Sequence, residues 1–191
     1  MKKRLLPPTR SASLIFASSL LLAAAPQSHA VTYDVPAGDT FTVSDPITGP
    51  EDLVKEGEGT LILTAINDYT GTTTVKAGEL QLSGPGAAIV GSSAFSVDGK
   101  VRVLDGAELN GGDTVIGDSL FSQGELWIED SAADFYNLSV GNYGSGQVDV
   151  IGNSVVSVSE ELHVGLLSDT ASRLTATGAV SLTVDTLVAI G

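Results

Sequence analysis

The sequence predicts an all-β solenoid built from stacked coils. Three observations carry that expectation. After residue 30, apolar residues alternate with a period of two rather than with the helical period. The alternating runs end at Gly, Asn, Asp or Ser. Aliphatic-glycine pairs return at nearly constant spacing, at Ile116-Gly117, Val140-Gly141, Val164-Gly165 and Ile190-Gly191.

The first thirty residues read as an export address. Lys2, Lys3, Arg4 and Arg10 flank or precede a twelve-residue apolar stretch, Leu14 to Ala25, and Pro26 and the small-x-small triplet Ser28-His29-Ala30 follow it. This is the layout of a secretory signal peptide, so residues 1–30 are expected to be the leader and residues 31–191 the exported body. A twelve-residue helix reaches about 18 Å, short of a hydrocarbon core of about 30 Å. No later segment is apolar enough to span a membrane as a helix. Cleavage after Ala30 would remove four of the nine basic residues and no acidic one, leaving a formal charge of −18 and His163 as the sole histidine. So acidic a surface repels phosphates, which excludes nucleic acid as a partner. A hydrophobic content of 42% is too high for a disordered acidic tail. With no Cys there is no disulfide, thiolate zinc site or cysteine nucleophile, and stability must come from burial and backbone pairing.

The strands follow in order. Leu61 and Leu63 alternate in TLILT, Leu80 and Leu82 in ELQLS, and Val101 and Val103 in KVRVL. Leu126 and Ile128 do so in ELWIE, Val148 and Val150 in QVDVI, and Val156 and Val158 in VVSVS. Each run of four to six residues puts one face in a core and the other in solvent. Val, Ile and Thr suit a pleated surface, and glycines supply the corners. No convincing amphipathic helix follows Ala30.

The spacing then sets the architecture. Gln147–Gly165 aligns with Arg173–Gly191, so that Val148 meets Leu174, Gly152 meets Gly178, Val156 meets Leu182 and Val158 meets Val184. Leu162 meets Val188 and Val164 meets Ile190. A fixed period in this range marks a solenoid or propeller, and about 24 residues with three short strands suits one coil of a parallel β-helix, whereas a propeller blade needs about 40. Residues 31–191 then make roughly six or seven coils. Each coil buries its apolar inside only against its neighbours. The sequence ends at Gly191, at a repeat boundary and without a polar cap, so the expectation is a fragment or an end covered by something else.

Leu53 to Leu82 reads LVKEGEGTLILTAINDYTGTTTVKAGELQL. It closely resembles the autotransporter-associated β-strand repeat of bacterial type V secretion passengers. The resemblance is carried by Leu53, Lys55, Gly57, Gly59, Thr60, Leu61, Leu63, Asn67, Tyr69, Thr70, Gly71, Thr73, Val75, Gly78 and Leu80. Ala65 and Thr72 depart from the pattern, standing where Gly is usual or common. In this reading Leu61 and Leu63 point inward, Asn67-Asp68 and Gly71 turn the chain, Thr73 and Val75 lie on the next strand, and Gly78 turns it again. The coils of residues 117–191 resemble the looser ones of the same passengers. The resemblance implies a right-handed parallel β-helix exported from a Gram-negative bacterium, residing in the periplasm, at the cell surface or secreted. It also implies an outer-membrane β-barrel partner, which nothing in this chain supplies.

Other candidate chemistry is sparse. Gly117-Asp118-Ser119-Leu120 spells the GDSL of a lipase/esterase family, in which Ser119 would be the nucleophile and His163 the base. That family places Asp three residues before its His, where this chain has Glu160, and its Gly-x-Asn-Asp segment is absent after Ser119. Asn67-Asp68 comes before it, in the wrong order. Gly117 is already explained as a corner. His163, between inward Leu162 and Val164, is expected to face solvent, and one histidine cannot build a His-rich zinc site. Asp113, Asp118, Glu125, Glu129, Asp130 and Asp134 are the densest acidic group, read as a solvated face, with weak calcium binding the alternative. Trp127 and Tyr136 are candidates for an exposed carbohydrate platform. The function expected is a non-enzymatic β-helical passenger segment, acting as structural stalk or adhesive surface, with no catalytic, cofactor or metal site. A surface or carbohydrate ligand remains open, and the alternative is a secreted GDSL-type esterase using Ser119 and His163.

Overall fold

The computed structural model describes residues 29–165 and 171–190, the side chains of 187–190 excepted. The expected leader therefore lies outside the described residues apart from His29 and Ala30, and so does Gly191. Among the described residues every strand pairing is parallel, each run lying beside its equivalent one coil later.

The first coil holds β1 (Ala30–Asp34) and β2 (Thr40–Val43). The second holds β3 (Asp52–Glu56), β4 (Thr60–Leu63) and the two-residue β5 (Ile66–Asn67). In the third are β6 (Thr72–Val75), β7 (Glu79–Ser83) and β8 (Ala88–Ile89). Then come β9 (Ala94–Val97), β10 (Lys100–Leu104), β11 (Glu108–Ile116) and β12 (Gln123–Glu129). The chain continues through β13 (Ala132–Val140), β14 (Ser145–Gly152), β15 (Val155–Val164), β16 (Arg173–Gly178) and β17 (Ser181–Ile190). One face is a seven-stranded sheet, β2-β4-β7-β10-β12-β14-β16, which counts seven coils. A second face stacks β1, β3, β6 and β9 onto the later halves of β11, β13 and β15. The third face begins with β5 and β8, and β8 pairs with the start of β11.

From β11 onward, the third-face strand runs straight into the next face. The long strands jog at register shifts beside Gly112 and between Phe135 and Leu138. This corrects the expected run length of four to six residues, since β13 has nine and β15 ten. It also accounts for uneven coils. The step from Leu61 to its partner Leu80 is short, because the third face there is only the two residues of β5. The step from Val148 to its partner Leu174 is longer, because the third face there is a full strand and more residues separate β15 from β16. Val164 meets Ile190, as the internal repeat requires, and Val148, Gly152, Val156 and Val158 also find their expected partners. Leu162 meets Leu187 rather than Val188, because the ladder shifts register between Val158 and Glu161.

The alternation delivers one continuous core. Leu61, Leu63, Leu80, Leu82, Val101, Val103, Leu126, Ile128, Val148 and Val150 are all buried in the seven-stranded sheet's inward columns. Polar groups also enter this core. Lys55 is fully buried, and its Nζ donates to the carbonyls of Glu56 at 2.6 Å, Gly57 at 2.7 Å and Ala77 at 3.2 Å. Burial lowers its pKa, opposed by the negative charges of Asp34 and Glu58. Tyr69 is buried and shares a 2.6 Å hydrogen bond with Thr73.

Asn67 was expected in a turn but lies in β5 with its side chain inside. Its Oδ1 accepts from the Ile47 amide at 3.0 Å, and its Nδ2 donates to Ala65 O at 2.8 Å and Ala88 O at 2.9 Å. One amide therefore ties three successive coils. Asn67→Leu keeps roughly the volume but leaves the Ile47 N–H and the Ala88 carbonyl without that partner. At about 1–3 kcal/mol for each orphaned buried group, a loss of about 3 kcal/mol is expected. Urea denaturation measures it, and loss of exchange protection at the Ile47 amide locates it.

Candidate functional site

Ser119 sits in the corner between β11 and β12, where its hydroxyl and amide are both engaged by Asp98 of the preceding coil. The hydroxyl donates to Asp98 Oδ2, and the amides of Asp118 and Ser119 donate to Oδ1 at 3.0 and 2.8 Å. His163 lies at the end of β15, its Nε2 3.0 Å from Glu161 Oε2. The structure thus gives the two residues separate partners on separate coils and does not pair His163 with the serine. His163 does occupy an outward position, yet its side chain is only 14% exposed, because neighbouring coils flank it.

The Asp98 clasp has a pH signature. Burial would raise its carboxyl pKa, but hydrogen bonds from Ser119, Ser122 and Asp118 outweigh burial and leave it below the ordinary value. A depressed folded pKa contributes stability above the unfolded value near 3.8 and loses it as pH falls towards the folded value. Asp98→Asn is therefore expected to be less stable than the unaltered protein at neutral pH. The gap should close in strong acid, read from thermal melts across an acid series.

The densest acidic residues are spread around the coils and paired along the stack. Asp113 accepts from Asn137 Nδ2 at 2.8 Å, Asp118 from Asn142 Nδ2 at 3.1 Å, and Asp130 from the Asn153 amide at 2.8 Å. Asp134 accepts from the Ser157 hydroxyl, and Glu125 meets Lys100 at 2.7 Å. Among the described residues no three acidic, His or Cys side chains come together to hold a metal ion.

The two aromatic candidates part company. Trp127 is on the seven-stranded sheet, whereas Tyr136 is on β13 of the other, 54% exposed and beside Glu160, whose charge raises its phenol pKa. They do not share a platform, because one coil carries consecutive strands to different faces. Trp127 instead gathers a different set. The register stacks Arg102, Trp127 and Asp149 in one outward column, and Lys100, Glu125 and Gln147 in the column beside it. The Arg102 guanidinium lies over the indole, 5.8 Å from its centroid, within cation–π range. The indole Nε1 donates to Glu129 Oε2 at 3.0 Å, and Arg102 is 3.9 Å from Glu79. Asp149 takes hydrogen bonds from Gln147 and Thr175. Glu79, Lys100, Arg102, Glu125, Trp127, Gln147 and Asp149 line a depression of ≈ 280 Å³. Sequence reasoning found Trp127 by alternation but missed Arg102 and Gln147. They belong to the preceding and following coils, remote from it along the chain, and only the coil register brings them beside it.

The residues 53–82 have a different job. Leu53, Lys55, Leu61, Leu63, Asn67, Tyr69, Thr73, Val75 and Leu80 all point into the core. Gly78 has φ +63°, and a Cβ there would lie 2.4 Å from Gly59 O of the preceding coil. The motif's side chains and its corner glycine serve the stacking of the coils.

Residues 53–82 match the Passenger-associated-transport-repeat family. The chain is similar to the adhesin BmaC autotransporter of Brucella suis biovar 1 (strain 1330), 33% identical over 125 residues. That alignment covers 62% of this chain and 4% of the relative, so the chain spans a small fraction of that protein. No solved structure matches significantly. The repeat match, the resemblance to an adhesin and the parallel coils agree that this chain carries an autotransporter passenger repeat, folded as the second and third coils of a β-solenoid.

Proposed function

We propose that this chain is a non-catalytic passenger segment of an exported, autotransporter-like surface protein, serving as a rigid stalk whose outer faces adhere. The observation that supports this best is the use of its polar side chains. Asp52, Asn67, Asp98, Asp130 and Asn137 each accept a backbone amide from an adjacent coil. Side chains committed this way stiffen a stack and are not held ready for a reaction. Seven coils at about 4.8 Å per strand spacing make a rod about 30 Å long. On this reading residues 1–30 are the leader and the rod lies outside the inner membrane, in the periplasm, on the surface or released, with a β-barrel partner for surface delivery. No helix among the described residues is long and apolar enough to cross a membrane.

Two measurements test the proposal. Beads coated with the purified chain are expected to be retained on host-cell or matrix-coated surfaces, and chromogenic short-chain esters to be turned over at the background rate. Ester turnover abolished by Ser119→Ala would overturn the non-catalytic reading in favour of the GDSL alternative.

A further inference from the structure

The outward columns of the seven-stranded sheet differ from the rest of this acidic molecule. Lys100 and Arg102 stand there beside the sole tryptophan, in the depression described above. Its lining combines an indole with three carboxylates, an amide, an ammonium and a guanidinium, all on strands rather than loops. Groups of that kind recognise a hydroxyl-rich ligand. Hydroxyls donate to the Glu125 and Asp149 carboxylates and accept from Arg102 and the Gln147 amide, while the apolar C–H face of a sugar ring packs on an indole. Arg102 covers the indole from the preceding coil. Asp149, opposite it on the following coil, directs its carboxylate to Gln147 and Thr175 instead. The depression is shared by Trp127, Gln147 and Asp149 on that side. A second depression, of ≈ 130 Å³, adjoins the first through Glu125 and Gln147 and continues it towards Gln123, Ser145 and Ala171.

Charge selects among glycans. Glu79, Glu125, Glu129 and Asp149 outnumber Lys100 and Arg102 around the indole, on a chain of net charge −14. A sulfated or uronic polymer would be repelled, as nucleic acid would. We infer that this face binds a neutral glycan, a chain of uncharged sugars packed on Trp127 and hydrogen-bonded by Glu125, Gln147 and Asp149. The inference rests on the adhesive reading and supplies the ligand class for it.

Because Trp127 is the only tryptophan, its fluorescence reports the site directly. The full chain is titrated with a panel of malto-, cello-, laminari- and manno-oligosaccharides, and with heparin and polylysine, at low and high salt. A saturable change with a neutral oligosaccharide, unaffected by salt, is expected. Glu125→Ala and Gln147→Ala keep the reporter and should weaken binding about tenfold. Trp127→Ala should abolish retention on a column bearing that sugar while keeping its β-sheet circular dichroism. If Trp127→Ala does not fold, the two reporter-retaining variants decide. No response to any neutral sugar, binding unmoved by both variants, or a response confined to heparin or to polylysine at low salt would overturn the inference. Coated beads that adhere, but are neither competed by neutral sugars nor weakened by Glu125→Ala, defeat this inference and leave the adhesive reading standing. Beads that fail to adhere while Trp127 titrates do the reverse.

Discussion

Replacing Val101 by aspartate is expected to unfold the stack. Val101 is fully buried on β10, in the middle of the seven-stranded sheet, paired with Leu80 on one side and Leu126 on the other. A carboxylate there finds no partner. Uncompensated burial of a polar group costs about 2–7 kcal/mol, and an unpaired charge more unless it takes up a proton. Marginal stability of about 5–15 kcal/mol cannot absorb much of that. In a stack, moreover, each coil is held only by its neighbours. A break at the fourth coil leaves about three coils on either side, near the minimum that stands alone. The same change at Leu61, equally buried but in the second coil, should strip the N-terminal coils and spare more of the sheet signal. Ile62→Asp, on the outward side of the same strand, should cost about 1 kcal/mol or less. Circular dichroism and urea unfolding of the three variants give the order Val101→Asp, Leu61→Asp, Ile62→Asp. Equal effects at Leu61 and Ile62 would contradict the inward-outward register.

Gly117→Ala is expected to cost about 3 kcal/mol or more, from two sources that other glycines separate. Gly117 has φ +76°, where a side chain costs about 1–2 kcal/mol. A Cβ there would also stand 2.2 Å from Ser145 O of the next coil, a backbone atom that cannot swing aside. The Gly117 amide donates to Val97 O at 2.7 Å, and its carbonyl accepts from the Gly144 amide at 3.0 Å, so any shift is felt on both sides. Gly84 has φ +94° with nothing within 4 Å, so Gly84→Ala should show the strain alone. Gly86 is free of both, and Gly86→Ala should be nearly neutral. Melting temperatures of the three variants should fall in that order. A harmless Gly117→Ala would mean that the coils are not in contact at this corner.

These two predictions differ in how far they could be foreseen. The inward placement of Val101 is visible in KVRVL, because alternation is a property of neighbouring residues. The corner glycines are visible through their spacing, and Gly117, Gly141 and Gly165 do take positive φ on successive coils. What Ser145 does to Gly117 is not visible, since those atoms meet only when coils of particular lengths close on each other.

The same limit shaped the site. Alternation places Trp127 on the outside, but a coil carries consecutive strands to different faces, so Tyr136 does not join it. Arg102, which covers the indole, lies one coil away. Ser119 in a GDSL string suggests a partnership with His163, but its hydroxyl goes to Asp98 of the preceding coil. Asn67 in an Asn-Asp pair looks like a turn until Ile47 and Ala88 present their backbone to it.

Alone, then, the sequence determined the strand class, the inside and outside of each run, the corners and the parallel stacking. All of these follow from period-two patterning and a regularly returning aliphatic-glycine corner, which local chemistry and chain length impose. Only the tertiary structure decided which side chains stand beside one another on the outer faces. Those contacts depend on coil lengths that vary, from the short step between Leu61 and Leu80 to the long one between Val148 and Leu174. A single insertion or deletion within a strand moves the side chains beyond it to the opposite face of the sheet.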